Sequence, residues 1–133
     1  MNYPQHLQYT RSHQWLCFEE SCVFMGITDF IQKELDQILT VTIPYLNKTV
    51  ESEKFLGSIE AARAVLDLFM PVTGTIVEIN PEMLKNPRLL NKDPYHTWLL
   101  KIGTVVTDHE KPVLAVDEYI AFIWQINKTK KYA

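Results

Sequence analysis

The sequence predicts a single, mostly β domain, a sandwich or barrel of short strands accompanied by short helices. Two observations support this prediction. Short runs of branched and aromatic residues recur along the chain with turn residues between them, and helical periodicity is confined to short segments. The length of 133 residues suits one domain, and 47% hydrophobic with 22% charged residues is an ordinary globular balance.

The first predicted element is a β-hairpin. Residues 13–18 and 22–27 are rich in aromatic and branched side chains and alternate weakly in polarity. If the two glutamates that follow residue 18 form a two-residue turn, Cys17 faces Cys22 across the hairpin and a disulfide is conceivable. We favour two free thiols, as expected in a reducing cytosol.

A short helix is predicted next, within residues 28–39, where the apolar residues change to helical spacing. Asp29 is its predicted cap, and Gln32 can reach back to the cap. The predicted apolar stripe of this helix comprises Ile31, Leu35 and Ile38.

Four further extended segments are predicted. Residues 40–46 predict a strand that ends at Pro44, because proline lacks the N–H that a β-ladder needs. Residues 48–60 follow as a second extended segment. Residues 71–79 predict a turn and a strand, and residues 97–106 predict another strand.

Two helices are predicted in the second half of the chain. Residues 80–87 have Asn80 as a cap and Pro81 at the first helical position, where a proline is well tolerated. A C-terminal helix is predicted over about residues 117–126, followed by a frayed, solvated tail. The side chains expected to face inward from this last helix are Ile120, Ile123 and Trp124.

Charge and hydropathy exclude several classes of function. The formal net charge of −3 argues against a nucleic-acid surface, which needs a basic face. No apolar run approaches the roughly 18 residues of a membrane span, and the N-terminal residues lack the pattern of a secretory signal. We therefore expect no membrane partner and a cytoplasmic location, although a removed organellar presequence would leave the same sequence.

The polar residues predict no catalytic or metal site. The chain has no glycine-rich phosphate loop, and its four histidines do not lie at ligand spacing from the two cysteines. Ser12 and His13 are adjacent, so on a strand they would point to opposite faces and not form a nucleophile–base pair. His13 is instead expected to pack beside Trp15. We expect a protein that is not an enzyme and binds no metal.

Residues 57–68, "GSIEAARAVLDL", conflict with their surroundings. Taken alone they favour a helix, because most of them are good helix formers. Their flanks favour strands and turns. The alternative is the tip of a β-hairpin that presents Arg63.

Several of these segments together resemble the glycine cleavage system H protein, a family of lipoyl carriers. The segments are "YTRSHQW", "MGITDFIQKELDQILTVTIP", "DLFMPVTGTIVEIN" and "NPEMLKNPRLLNKDPY", which follow the family's order and spacing. The resemblance covers roughly residues 9–102 of a single domain over residues 1–133. Residues 103–133 are then a divergent C-terminal extension that includes the helix at about 117–126.

The resemblance implies a barrel-sandwich hybrid of antiparallel strands with short peripheral helices and a C-terminal helix. It also implies that residues 57–68 form a β-hairpin, against their local helix propensity. In the family a lysine at the hairpin tip carries lipoate. The ungapped register places Arg63 at that position, within a tip that also contains Glu60, Ala61, Ala62 and Ala64.

This substitution changes the chemistry of the tip. Lysine can lose a proton and attack an activated acyl group, whereas a guanidinium stays protonated and its lone pairs are delocalised. The family residues that hold the loaded arm correspond to Ser12, Gln14 and Asp67, and Gln14 replaces a glutamate. Because Ala61, Ala62 and Gln14 also differ from the family, natural divergence explains Arg63 more simply than engineering does.

The resemblance leads to two functional hypotheses. The first is a non-enzymatic, protein-binding accessory protein without lipoate, whose partners belong to glycine cleavage or lipoate handling. The alternative is a working H protein, or one with an engineered lysine-to-arginine change, that shuttles the aminomethyl group. In both cases we expect a monomer. Arg63 is also expected to pair with Asp67 or Glu60 across the hairpin, a contact worth at most about 1 kcal/mol.

Overall fold

A computed structural model describes residues 3–104 and 113–132. Nine strands are described: β1 (Gln8–Tyr9), β2 (Gln14–Phe18), β3 (Cys22–Ile27), β4 (Ile38–Thr42), β5 (Thr49–Val50), β6 (Phe55–Ala61), β7 (Val65–Phe69), β8 (Gly74–Ile79) and β9 (Leu100–Gly103). The helices of this part of the chain are α1 (Asp29–Leu35), α2 (Pro81–Lys85), α3 (Leu89–Lys92) and α4 (Val116–Tyr132).

The strands form two antiparallel sheets. One sheet has six strands in the order β1-β2-β3-β9-β8-β5, and the other has three strands in the order β4-β6-β7. A single cluster of buried apolar side chains draws on both sheets and on α1 and α4. The predicted architecture is confirmed: antiparallel sheets, short helices and a C-terminal helix.

Residues 57–68 lie in a β-hairpin, as the resemblance implied and against their helix propensity. Strand β6 pairs with β4 on one side and with β7 on the other, so its backbone groups are satisfied by the sheet. The side chains of Leu56, Ile59 and Leu68 are at most 1% exposed. Burying each is worth roughly 1.5–3 kcal/mol, whereas helix propensities differ by under about 0.7 kcal/mol for ordinary residues. Burial in the sheet therefore outweighs local preference.

The N-terminal cap of helix α1 lies one residue earlier than predicted. Thr28, not Asp29, is the cap, since its side chain accepts a hydrogen bond from the Ile31 N–H and its backbone is extended. Gln32 does reach back, and its Nε2 donates to Asp29 Oδ1 at 2.8 Å. The helix ends at Leu35 because Asp36 adopts a φ of 63°. Ile38 therefore opens β4 instead of extending the helical stripe.

Several strand boundaries differ from the prediction. Strand β4 starts two residues early and ends at Thr42, before Pro44. The predicted segment 48–60 is two strands, broken by a turn in which Glu53 has a φ of 72°. Helix α2 has the predicted Asn80 cap, whereas α3 was not foreseen. Strand β9 covers four residues of the predicted 97–106, and residues 105–106 lie outside the described part.

The register of the β2–β3 hairpin differs from the one in which Cys17 and Cys22 would face each other. The Glu19 N–H donates to the Cys22 carbonyl, so the turn lies one residue later than predicted. Cys17 consequently faces Phe24, and Cys22 faces Gly103. Both thiols are free, as favoured above.

Helix α4 is longer than predicted and turns a different face inward. It continues through the predicted frayed tail to Tyr132. Tyr119 and Ile123 are buried, whereas Ile120 is 46% and Trp124 59% exposed. The expectation that Ile120 and Trp124 face inward is therefore wrong. Within the residues described, none of the helices has the length and apolarity to cross a bilayer.

Candidate functional site

The tip of the β6–β7 hairpin presents Arg63 on a firmly held backbone. The Ala61 N–H donates to the Ala64 carbonyl at 3.0 Å, so Ala62 and Arg63 form a two-residue turn. The Ala62 N–H donates to the Gln37 carbonyl at 2.8 Å, and the Arg63 N–H donates to the Leu35 carbonyl at 3.2 Å. The tip is thus fixed against the corner between α1 and β4, while the Arg63 side chain is 66% exposed.

Asn91 holds that corner in place from α3. Its Oδ1 accepts from the Ile38 N–H at 3.0 Å, and its Nδ2 donates to the Asp36 carbonyl at 2.8 Å and to Gln32 Oε1 at 2.9 Å. One amide side chain therefore joins the end of α1, the start of β4 and α3. The hairpin tip rests on this assembly.

The ion pair of Arg63 is not the one expected. Its Nε lies 3.8 Å from Asp36 Oδ2, and both side chains are more than half exposed. Glu60 and Asp67, the predicted partners, stand opposite Val65 and Ser58 in the hairpin register. The reason is the docking of the tip, which brings Asp36 of the neighbouring corner closer than the hairpin's own carboxylates. Such an exposed pair is worth at most about 1 kcal/mol.

Ser12 and Gln14 line a cleft of about 220 Å³ near the end of β7 that lies away from the tip. Gln14 is 1% exposed. Its Nε2 donates to the Phe69 carbonyl at 2.9 Å and to Met25 Sδ at 3.1 Å, and its Oε1 accepts from Thr10 Oγ1 at 3.1 Å. The neutral amide thus donates to the Phe69 carbonyl and accepts from the Thr10 hydroxyl. A carboxylate at this position would place an acceptor oxygen against the Phe69 carbonyl.

Asp67 is not among the residues that line this cleft. It is exposed on β7, where it pairs with Ser58 of β6. The structure therefore brings together two of the three residues that the resemblance assigned to the arm cavity. The remaining lining comes from the turns before β2 and after β5, from the end of β7 and the residues after it, and from the segment before α4. It comprises Thr10, Arg11, Ser52, Glu53, Phe69, Met70, Pro71 and Val113.

Sequence reasoning missed the residues that position the tip and the cleft. Asp36 at the end of α1 pairs with Arg63, Asn91 of α3 bonds to the Asp36 carbonyl in the corner under the tip, and the Phe69 carbonyl of β7 accepts from Gln14. The members of these three pairs are 27, 55 and 55 residues apart along the chain. Neither a period of two nor a period of 3.6 residues signals contacts at such separations.

His13 is structural, as expected, but with other neighbours than predicted. Its Nδ1 lies 2.9 Å from the Tyr119 hydroxyl, and its ring lies 4.8 Å from that of Phe30. Trp15 instead donates from Nε1 to the Pro94 carbonyl. Among residues 3–104 and 113–132, no cluster of three or more histidine, cysteine or acidic side chains could hold a metal ion.

Comparison with known proteins places this geometry in a family. The family model described as "Glycine cleavage H-protein" matches residues 7–126. The glycine cleavage system H protein of Bacteroides fragilis is 44% identical over 77% of this chain and 82% of its own length. That of Bacteroides thetaiotaomicron is 38% identical over 92% of this chain and 98% of its own.

A solved structure has the same fold. The crystal structure of a glycine cleavage system H protein from Mycobacterium marinum aligns with a TM-score of 0.81 at 27% identity, over 90% of this chain and 97% of that one. Fold, family model and curated relatives agree. The chain belongs to the glycine cleavage H-protein family.

Proposed function

We propose that this H-protein family member does not carry lipoate on its hairpin and acts by binding other proteins. H proteins are lipoyl carriers and not catalytic enzymes, so loss of the arm would leave the scaffold and its binding surfaces. Proteins of glycine cleavage or lipoate handling are the proposed partners, in the bacterial cytoplasm.

The observation that carries the proposal is the side chain at position 63. Arg63 stands at the exposed turn of the hairpin, and the sequence resemblance assigns this position to the family's attachment lysine. Acylation needs a neutral amine nitrogen, and a guanidinium, which stays protonated in proteins and whose lone pairs are delocalised, offers none. Lys54 precedes β6 and lies at the far end of the hairpin from the tip.

The cleft supports the same proposal. Binding of an aminomethyl ammonium favours a carboxylate partner. The residue that the resemblance aligns with the family's glutamate is Gln14, whose amide is buried. That amide is engaged with the Phe69 carbonyl and Thr10. The third corresponding residue, Asp67, lies outside the cleft lining.

The fixed backbone of the tip supports a role in protein binding. Two backbone hydrogen bonds fix the turn on the α1–β4 corner, and the neighbouring Ala62 and Ala64 are small and exposed. A protein partner that docks on this hairpin would meet a fixed backbone with a permanent cation at its end.

Lipoylation of the native chain and of Arg63→Lys, compared side by side, tests the proposal. With a lipoate ligase, lipoate and ATP, we expect no lipoyl mass gain on the native hairpin and a gain on Arg63→Lys. Arg63→Gln is the matched control, because it removes the cation without supplying an amine. A lipoyl group mapped to the native hairpin would contradict the proposal.

The alternative is a working carrier, favoured by the ordinary H-protein names of the relatives. It would shuttle the aminomethyl group among the other components of glycine cleavage. Reconstitution with this chain as the sole carrier separates the two functions. Turnover would support the alternative, and its absence together with turnover of lipoylated Arg63→Lys would support the proposal.

A further inference from the structure

Helix α4 has a second surface, apolar at its centre and charged at both ends, that faces away from the core. It consists of side chains at helical spacing, all of them exposed, which we name the outer stripe: Asp117, Ile120, Ala121, Trp124 and Lys128. Trp124 is 59% exposed and Ile120 46%. The Lys128 ammonium lies 5.1 Å from the centre of the Trp124 ring, so it covers part of one ring face.

The opposite face of α4 fixes the direction of the outer stripe. Tyr119 is fully buried, its ring stacks on Tyr9 at 4.8 Å, and its hydroxyl lies 2.7 Å from Thr28 Oγ1. Just before the helix, Leu114 exchanges two backbone hydrogen bonds with Tyr9. Because these contacts hold the helix against β1, it cannot turn its tryptophan inward without losing them.

The charges along the outer stripe are ordered. Asp117 stands one turn before the apolar part, and Lys128 stands one turn after it. A parallel copy of the helix would bring like charges together. An antiparallel copy places Asp117 of each chain next to Lys128 of the other. The pair therefore occurs twice, as in an isologous two-fold contact.

The side-chain sizes agree with the same register. When two α4 helices run antiparallel with Asp117 opposite Lys128 of the other copy, Trp124 stands opposite Ala121 of that copy. The smallest side chain of the outer stripe thus meets the largest. A large ring against a small residue is the arrangement that lets two helices approach closely.

We propose that the outer stripe docks a second copy of this chain, with the two α4 helices antiparallel about a two-fold axis. The contact uses one helix face, which is smaller than the surface that stable dimers bury. The dimer is therefore weak and dissociates on dilution. This differs from the monomer expected from the sequence and does not depend on lipoate or its loss.

Sedimentation equilibrium of the native chain at concentrations up to about 1 mM, where weak complexes are populated, tests the proposal. We expect the mean mass to rise from one chain toward two as the concentration increases. Lys128→Glu places two acidic side chains opposite each other and should keep the protein monomeric. The double variant Asp117→Lys with Lys128→Glu restores opposite charges in the antiparallel pair and should dimerise again.

The double variant distinguishes a second copy from any other partner. Both it and Lys128→Glu lack the lysine over Trp124, so loss of that contact cannot explain a difference between them. All three proteins should give the same far-ultraviolet circular dichroism, because the changed side chains are exposed. The proposal would be overturned by a native chain that stays monomeric at every concentration, or by a folded double variant that does not dimerise. Either result would overturn it even if another protein were found to bind the outer stripe.

Discussion

The amide of Gln14 ties β2 to the end of β7. It donates to the Phe69 carbonyl while fully enclosed by protein. A carboxylate of the same shape has no hydrogen to donate, so one changed atom would set two acceptors against each other. The identity of this side chain therefore affects both the charge of the cleft and the strand that borders it.

Gln14→Glu is expected to lower the free energy of unfolding by about 1–3 kcal/mol near neutral pH, the usual cost of a buried unpaired acceptor. Burial favours the protonated acid, so the pKa of the new carboxyl rises above its unfolded value. The folded state then binds more protons than the unfolded state, and stability falls as pH rises through and above the usual glutamate range.

Urea denaturation of Gln14→Glu and the native chain across acidic to neutral pH measures this effect. Gln8→Glu is the matched control, because Gln8 is exposed on the adjacent strand β1. The control should follow the native chain at every pH. Equal losses in both variants, or a loss independent of pH, would contradict the burial argument.

At the scale of elements, the hairpin tip depends on a corner formed by other parts of the chain. The carbonyls of Leu35 and Gln37 accept hydrogen bonds from the tip amides, and Asn91 of α3 bonds to the Asp36 carbonyl and the Ile38 N–H. The exposed pair of Arg63 with Asp36 adds little to this. Backbone docking, and not the charge at the tip, fixes the position of the hairpin.

Asn91→Ala is therefore expected to loosen the tip from a distance. The substitution leaves the Ile38 N–H and the Asp36 carbonyl without their side-chain partner, at a cost of about 1–3 kcal/mol in the free energy of unfolding. Native-state hydrogen exchange should show faster exchange at the amides of Ala62 and Arg63, which bond to this corner.

Lys92→Ala, an exposed position in the same helix, is the control for Asn91→Ala. It should leave both the stability and the tip amides unchanged. Unchanged exchange at Ala62 in Asn91→Ala would show that the tip holds its position without the corner.

At the scale of the whole molecule, a cluster of four tyrosines joins the N-terminal segment, β1, the 93–96 turn and α4. Tyr3 meets the other three rings edge-on at 5.7–6.4 Å, and Tyr9 and Tyr119 stack. Burial raises the pKa of Tyr3 to about 12, and the charge of Asp29 adds to this. Burial raises the pKa of Tyr9, Tyr95 and Tyr119 further above its usual value.

The tyrosine cluster predicts a loss of stability at alkaline pH. Each pKa is higher in the folded than in the unfolded state, so the stabilisation is complete below about pH 10 and is lost as pH rises toward 12 and beyond. We expect these four side chains to ionise together with unfolding. Ultraviolet absorbance of tyrosinate, followed alongside circular dichroism, measures this.

The chain in denaturant is the control, where all six tyrosines should titrate together near a pKa of about 10. Ionisation of the four clustered tyrosines near that pKa with unchanged circular dichroism would show that the cluster is open to water.

The prediction from sequence was most successful where the signal is local. The Asn80 cap and Pro81 located α2, because both act on backbone groups within two residues. The prediction was less successful at the start of α1. Thr28 and Asp29 are both good caps, and which of them caps the helix depends on the extended backbone of Thr28. The prediction failed for Ile120 and Trp124, since a helix with apolar residues on two faces does not specify which face the core takes.

The sequence by itself determined the β-rich class and the permanent cation at position 63, because composition and side-chain chemistry do not depend on distant contacts. Tertiary structure decided that residues 57–68 form strands, that Arg63 meets Asp36, and that Gln14 but not Asp67 lines the cleft. The reason is physical: burial and backbone pairing across sheets outweigh local propensity, and they act between residues that the sequence keeps far apart.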